Sequence, residues 1–241
     1  MSRREKPTYR ALQNWENVNI ARYYGYGRYE IPRMRPCKEV DVDEWIGFNY
    51  AMSCPPEKRK RTGVHFWVDD YQFYRIWQHP VRYMEVLKGF GAVCSPDFSV
   101  YTDFPTAMRI WNVYRNSWLG VFWQQNGINV VPTAMWSDED SYEYVWTGYP
   151  KQSIVAVSSV GNYQSKEVLN NFIKGYHDML RELDPIKVYF YGQIPEECQS
   201  DLIIPVKSFQ QNRLRDLPKR KKKMESMEDG EESFERGNLQ L

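Results

Sequence analysis

The chain has 241 residues, 42% of them hydrophobic and 26% charged, and a formal net charge of +1. That length supplies one domain with or without appended tails, large enough to bury roughly 70% of its unfolded surface without a disulfide or metal staple. So small a net charge excludes a global field that would gather nucleic acid or a membrane surface, and no apolar run approaches the ~20 residues of a membrane helix.

The first residues, MSRREKPTYRALQNW, lack the apolar stretch of a secretory signal. Cys37, Cys54, Cys94 and Cys198 form no CxxC pair and no zinc spacing, so free thiols in a cytoplasmic protein are expected. Residues 1–27 read as an N-terminal arm, 28–211 as a single domain, and 212–241 as a charged tail. Two prolines and three arginines in residues 26–36 favour an extended path. Residues 55–62, PPEKRKRT, read as a basic loop.

From Gly63 short apolar runs alternate with amphipathic ones. The first run is Val64 to Val68, ending in Asp69-Asp70. A helical pattern follows, with Pro80 near its start and Tyr83, Val86, Leu87 and Phe90 on one face. Ala92 to Cys94 is the second run, ending in Ser95-Pro96-Asp97. The longest helix is expected over 104–126, capped by Thr102 or Asp103, with Trp111, Tyr114 and Trp118 in its apolar stripe. On that wheel Arg115 flanks the stripe and Arg109 falls on the far face. Further runs are Ile128 to Val131, ending in Pro132-Thr133 before Trp136, and Ile154 to Val157, ending in Ser158-Ser159. A second helix over 166–183, with Ser165 as its cap, precedes Lys187 to Tyr191 and then Leu202 to Ile204. Ile46-Gly47-Phe48 adds one more candidate strand.

Continuous apolar strands separated by helices indicate an α/β fold with a mostly parallel sheet of six or seven strands. Two forms fit: an incomplete TIM-type barrel or an open doubly wound sheet. Either places ligands at the carboxyl ends of the strands. Those ends supply Asp69, Asp70 and Asp97 as candidate catalytic acids. Ser95, Asp103, Arg115, Trp136, Ser158 and Tyr191 are the candidate substrate contacts. The three aspartates would suit Mg²⁺ or Mn²⁺ through oxygen ligands, or an acid/base pair whose pKa values are split by proximity. Against this, an Asp after a strand often caps the next helix. The 16% aromatic content fits either a ring-rich core or the walls of a ligand site. His65, His79 and His177 make no metal spacing, and the chain has no GxGxxG, GxxxxGK[ST] or GxSxG motif.

The segments WIGFNYA (45–51), VHFWVDDYQFYRIW (64–77), SPDFSVYTDFP (95–105), RIWNVYRNSWLG (109–120), FWQQNGINVVPTAMW (122–136) and YPKQSIVAVSSVG (149–161) carry a resemblance. They resemble a family catalogued as a domain of unknown function, found in bacteria, their phages and mobile elements. The resemblance spans roughly residues 28–205 and implies that VDDYQF, SPDFS, NVYRN and PTAMW are family signatures. Its setting implies a phosphate-containing, nucleotide or nucleic-acid substrate for an enzyme with a carboxylate-lined site. The alternative is a noncatalytic binding protein in replication, defence or counter-defence.

Arg213 to Lys223 holds seven basic residues and Met224 to Glu235 six acidic ones, with little apolar surface to offset the entropy of ordering. Truncation after Gln211 is therefore expected to leave the melting temperature within a few degrees of the full chain in a thermal scan. A larger fall would mean that the tail docks on the domain.

Overall fold

A computed structural model describes residues 15–17 and 19–207. The arm before Trp15 and the charged tail lie outside the described residues. A short antiparallel pair, β1 (Gly25–Tyr26) and β2 (Ile31–Pro32), leads in. The strands that follow are all parallel. β3 (Glu44–Gly47), β4 (Thr62–His65), β5 (Ala92–Cys94) and β6 (Val130–Val131) form a four-stranded sheet in that order. β7 (Ile154–Ser158), β8 (Lys187–Tyr191) and β9 (Ile203–Val206) form a three-stranded one. One parallel bridge, Thr133 to Ala156, links them. In it the Ala156 N–H donates to Pro132 O and the Ala134 N–H to Ala156 O, both at 2.8 Å. β9 runs through Pro205 rather than stopping at it. An edge strand tolerates the missing donor, and Pro205 sits opposite Phe190.

The connections are helical. α1 (Phe48–Ala51) and α2 (Pro56–Arg59) join β3 to β4, so part of the expected basic loop is a single helical turn begun by a proline. Three helices, α3 (Asp70–Phe73), α4 (Arg75–Gln78) and α5 (Pro80–Leu87), lie between β4 and β5. α6 (Thr106–Gln125) precedes β6, α7 (Tyr142–Val145) precedes β7, and α8 (Lys166–Leu183) precedes β8. Ser165 caps α8 as its sequence indicates, its hydroxyl accepting the Val168 N–H at 3.2 Å. At the other end Asp184 adopts the left-handed conformation, with φ 44°, before Pro185 ends the helix. α6 starts two residues later than expected. Pro105 stands at its N-terminus and no side chain caps it, so neither Thr102 nor Asp103 plays that part.

Strand side chains alternate between two cores, as a period of two requires. Ile46, Val64, Val93, Val130, Val155, Val157, Val188 and Phe190 pack with helix residues such as Trp118, Trp123, Phe172 and Tyr176. Trp45, Ala92, Cys94, Val131, Ile154, Ala156 and Val206 face the other way and pack with Trp67, Tyr189 and Tyr191. The second core draws on strands and loops from both sheets and on no helix residue. The Trp45 ring lies 5.3 Å from that of Tyr189. It reaches there across Gly63, where a Cβ would stand 2.4 Å from the indole.

α6 corrects one expectation. Trp118 is fully buried and Tyr114 half-buried, but Trp111 is exposed at 37%, stacked on Tyr114 at 5.4 Å. From Arg115 to Gln124 the helix is buried on all sides, so its apolar stripe does not by itself mark the inward face of the first turns. Arg109, expected on the far face, is buried at 7% exposure. We expect Trp118→Ala to lower the unfolding free energy by about 3–5 kcal/mol and Trp111→Ala by about 1 kcal/mol, measured by denaturant titration. Equal costs would contradict the orientation of α6.

Candidate functional site

A cavity of about 980 Å³ opens where the strands of both sheets deliver their carboxyl ends. Segments after β4 (Trp67 to Asp70), β5 (Asp97 to Asp103), β6 (Thr133 to Asp138) and β7 (Ser158 to Asn162) line it, together with the first turns of α8. Of the residues singled out in the sequence, Asp69, Asp70, Asp97, Asp103, Trp136 and Ser158 meet in this cavity.

Asp97 occupies the least forgiving position. Its Oδ1 is sealed from solvent with no hydrogen-bond partner, although the residue as a whole is half-buried. Burial, reinforced by the charge of Asp70, pushes its carboxyl up to about 8. Asp97 is therefore largely a neutral acid at pH 7. Asp70 differs. Its carboxylate accepts the Ser99 N–H at 3.1 Å and the Ser99 hydroxyl at 2.9 Å. Burial still raises its pKa, while those two donors and the charge of Arg115 oppose the rise. Asp70 is thus tied to the loop after β5 and does not cap its own helix; Asp69, preceding α3, makes no side-chain cap either.

Three expected contacts lie behind the wall. Ser95 is consumed in extending the strand pairing: its Oγ accepts the Thr133 N–H at 2.8 Å, and its carbonyl accepts the Thr133 hydroxyl at 2.7 Å. Tyr191 stacks against the back of Trp67 at 4.8 Å and tilts against His65 at 5.0 Å. Arg115 is buried, its guanidinium 3.8 Å over the Phe98 ring and donating to Asn112 Oδ1 at 2.5 Å. It acts on the cavity only through its charge near Asp70. His65 is held far below its usual range by burial, to about 3, and so is neutral.

Trp136 lines the cavity, its ring 5.2 Å from that of Phe172 and 5.8 Å from that of Trp146. Gly175 makes this possible, because a Cβ there would stand 2.1 Å from the indole. Sequence reasoning missed Ser99, the Asp138–Arg109 pair and the α8 contribution of Glu167 and Asn171. Arg109 Nη1 reaches Asp138 Oδ1 and Ser137 Oγ, each at 2.9 Å. An arginine two turns from the nearest acid in sequence gives no local signal of such a pair.

The charge of the lining is one-sided. Among the described residues it includes six acids, Asp69, Asp70, Asp97, Asp103, Asp138 and Glu167, and no Lys, Arg or His. Among the described residues no group of three or more His, Cys, Asp or Glu side chains is placed to hold a metal ion, so Asp69, Asp70 and Asp97 do not make the three-ligand set expected for Mg²⁺ or Mn²⁺. No helix among them is long and apolar enough to cross a membrane.

The raised pKa of Asp97 sets a pH dependence. An acid whose folded pKa lies above its unfolded value of ~3.9 contributes stability that is present below pH ~4 and lost as pH rises through about 8. Asp97→Asn removes that loss. Its stability relative to wild type should therefore grow by on the order of a few kcal/mol from pH 4.5 to pH 8.5, read by urea unfolding at both values. A constant difference would show that Asp97 titrates normally.

Residues 23–210 match the domain of unknown function DUF4417. The chain is 36% identical over 174 residues to the Gene 1 protein of Mycobacterium phage L5, covering 72% of this chain and 76% of that protein. It is also 36% identical over 171 residues to the Gene 1 protein of Mycobacterium phage D29, covering 69% of this chain and 61% of that one. No solved structure matches. With 188 of its residues inside the match, carrying the strand-end acids and the α8 wall alike, the chain belongs to the DUF4417 family.

Proposed function

We propose that the seven parallel strands form one incomplete barrel of the TIM type, and that the cavity at its rim is the site of an acid–base enzyme. The barrel reading is supported by the inner core, where Trp45 of β3 and Trp67 after β4 meet Tyr189 and Tyr191 of β8 with no helix between them. In an open doubly wound sheet helices would cover that face. A cytoplasmic setting is supported by the four free cysteines.

The observation that carries the enzyme reading is the unlike pair of carboxyls. Burial pushes Asp97 up to about 8; it raises Asp70 as well, but there the Ser99 donors and the charge of Arg115 oppose the rise. Environments that separate two acids in this way supply a proton donor and a proton acceptor in one cavity. Asp97 would donate to a leaving or developing basic atom, and Asp70 would accept or orient. A phosphate-containing, nucleotide or nucleic-acid substrate, expected from the sequence, draws no support from a lining that has no basic side chain among the described residues.

One observation favours the noncatalytic alternative. Tyr71, Tyr74, Tyr101, Met108 and Trp111 are exposed large apolar residues from α3 and the residue that follows it, the β5 loop and α6, and Arg115 lies within 6 Å of the Tyr74 and Trp111 rings alike. Exposed aromatic surface of this kind is typical of protein interfaces.

The two readings separate when wild type, Asp97→Asn and Trp111→Ala are incubated with a small-molecule extract of the host and its composition is followed by mass spectrometry. The enzyme reading expects a compound consumed by wild type and by Trp111→Ala, with the rate reduced about 10²–10⁴-fold in Asp97→Asn. No turnover by wild type, or equal turnover by Asp97→Asn, removes the catalytic assignment and leaves the binding surface.

A further inference from the structure

We infer that the NVYRN segment of α6 is the positioning element of the rim cavity: through Asn112, Arg115 and Asn116 it holds residues 98 and 99 so that Ser99 presents its N–H and its hydroxyl to Asp70. The inference rests on Asp70 being the proton acceptor of the proposed reaction, and it assigns the residues that aim that acceptor.

Asn112, Arg115 and Asn116 stand three and four residues apart and so share one face of α6. All three are buried, at 2%, 7% and 2% exposure. Polar side chains in that setting cost stability unless they are hydrogen-bonded. Their hydrogen bonds converge on one short stretch of the β5 loop. Asn116 Oδ1 accepts the Phe98 N–H at 2.9 Å, and its amide donates to the Phe98 carbonyl at 3.2 Å. Asn112 Nδ2 donates to the Ser99 carbonyl at 2.5 Å. The Arg115 guanidinium lies 3.8 Å over the Phe98 ring and donates to Asn112 Oδ1.

Behind the wall, Arg115 sets the direction of this chain. A guanidinium only donates, so the Asn112 atom that faces it is the carbonyl oxygen, and Nδ2 is thereby turned to Ser99. With its carbonyl held from α6, residue 99 has its N–H and hydroxyl left for Asp70, at 3.1 Å and 2.9 Å. Both donors favour the carboxylate over the acid. The charged and titratable groups that face Asp70 are Arg115 of α6, Asp97 of the β5 loop and the adjacent Asp69. Arg115 favours the ionised form, and the two acids oppose it as like charges. If the segment merely joined helix to loop, its loss would cost stability and leave the titration of Asp70 unchanged.

The test labels the Asp carboxyls of the full chain with ¹³C and follows the Asp70 resonance by NMR across pH, with no ligand added; Asp70→Asn assigns the signal. Ser99→Ala and Asn112→Leu are each expected to raise the Asp70 titration midpoint by about 1 pH unit, and the double variant by less than the sum, because Asn112 acts through residue 99. Ser99→Thr, which keeps the hydroxyl, should restore the wild-type midpoint. Val121→Ala, a buried change on the same helix outside the network, should lower the melting temperature and leave the midpoint in place. A midpoint unmoved in Ser99→Ala or in Asn112→Leu, fully additive shifts in the double variant, or an equal shift in Val121→Ala would overturn the inference. Should Asn112→Leu fail to fold, Asn112→Ala takes its place with the same expectation. The readout needs no substrate, so an extract without turnover removes the proposed reaction, while the titration alone decides whether NVYRN positions Asp70.

Discussion

Two backbone hydrogen bonds at Ala156 hold the site together. They join β7 to the segment after β6, and through it the three-stranded sheet to the four-stranded one. The cavity needs both sheets, because Asp70, Asp97 and Trp136 come from the first while Ser158 and the α8 wall follow the second. The residues around this junction are small or fixed. Ala156 is fully buried, Pro132 offers only an acceptor, and Thr133 spends its N–H and its hydroxyl on Ser95. Ser95 and Thr133 thereby continue the β5–β6 pairing to the floor of the cavity, which is why Ser95 is not available to a ligand.

From this junction the electrostatics follow. The β5 loop turns back over Asp97, and Asp70 fastens it through Ser99. Asn116 on α6 secures the same loop, accepting the Phe98 N–H at 2.9 Å and donating to the Phe98 carbonyl. The loop is thus pinned by the β4 end and by a helix, and Asp97 is confined where water cannot fully solvate it. Its raised pKa is a consequence of that confinement, with the neighbouring Asp70 charge as a second cause. Such an arrangement is costly when the acid ionises, and folds retain costs of this kind chiefly at functional sites.

The aromatic content resolves into three uses. Trp118, Trp123, Phe66 and Phe122 build the core between sheet and helix, with Trp118 stacked on Phe122 and Phe66 on Trp123. Trp45, Trp67, Tyr189 and Tyr191 belong to the second core, which draws on no helix residue. Tyr74, Tyr101 and Trp111 stay outside. Composition alone could not have divided them, since Trp occurs in all three sets and Tyr in two.

By itself the sequence determined the order of parallel strands and the two long helices, because buried strands read as apolar runs and Ser165 and Pro185 bound α8 chemically. It also determined that Asp69, Asp70 and Asp97 arrive on one side, since parallel strands share a direction. Tertiary structure decided which of the strand-end groups face the cavity. Asp97 lines the cavity and Ser95 is spent behind it, though they lie two residues apart. It decided the Arg109–Asp138 pair as well, whose partners are 29 residues apart and on different elements. Local spacing fixes direction and periodicity, whereas burial, pairing and pKa depend on what packs opposite, and that is set only when distant segments meet.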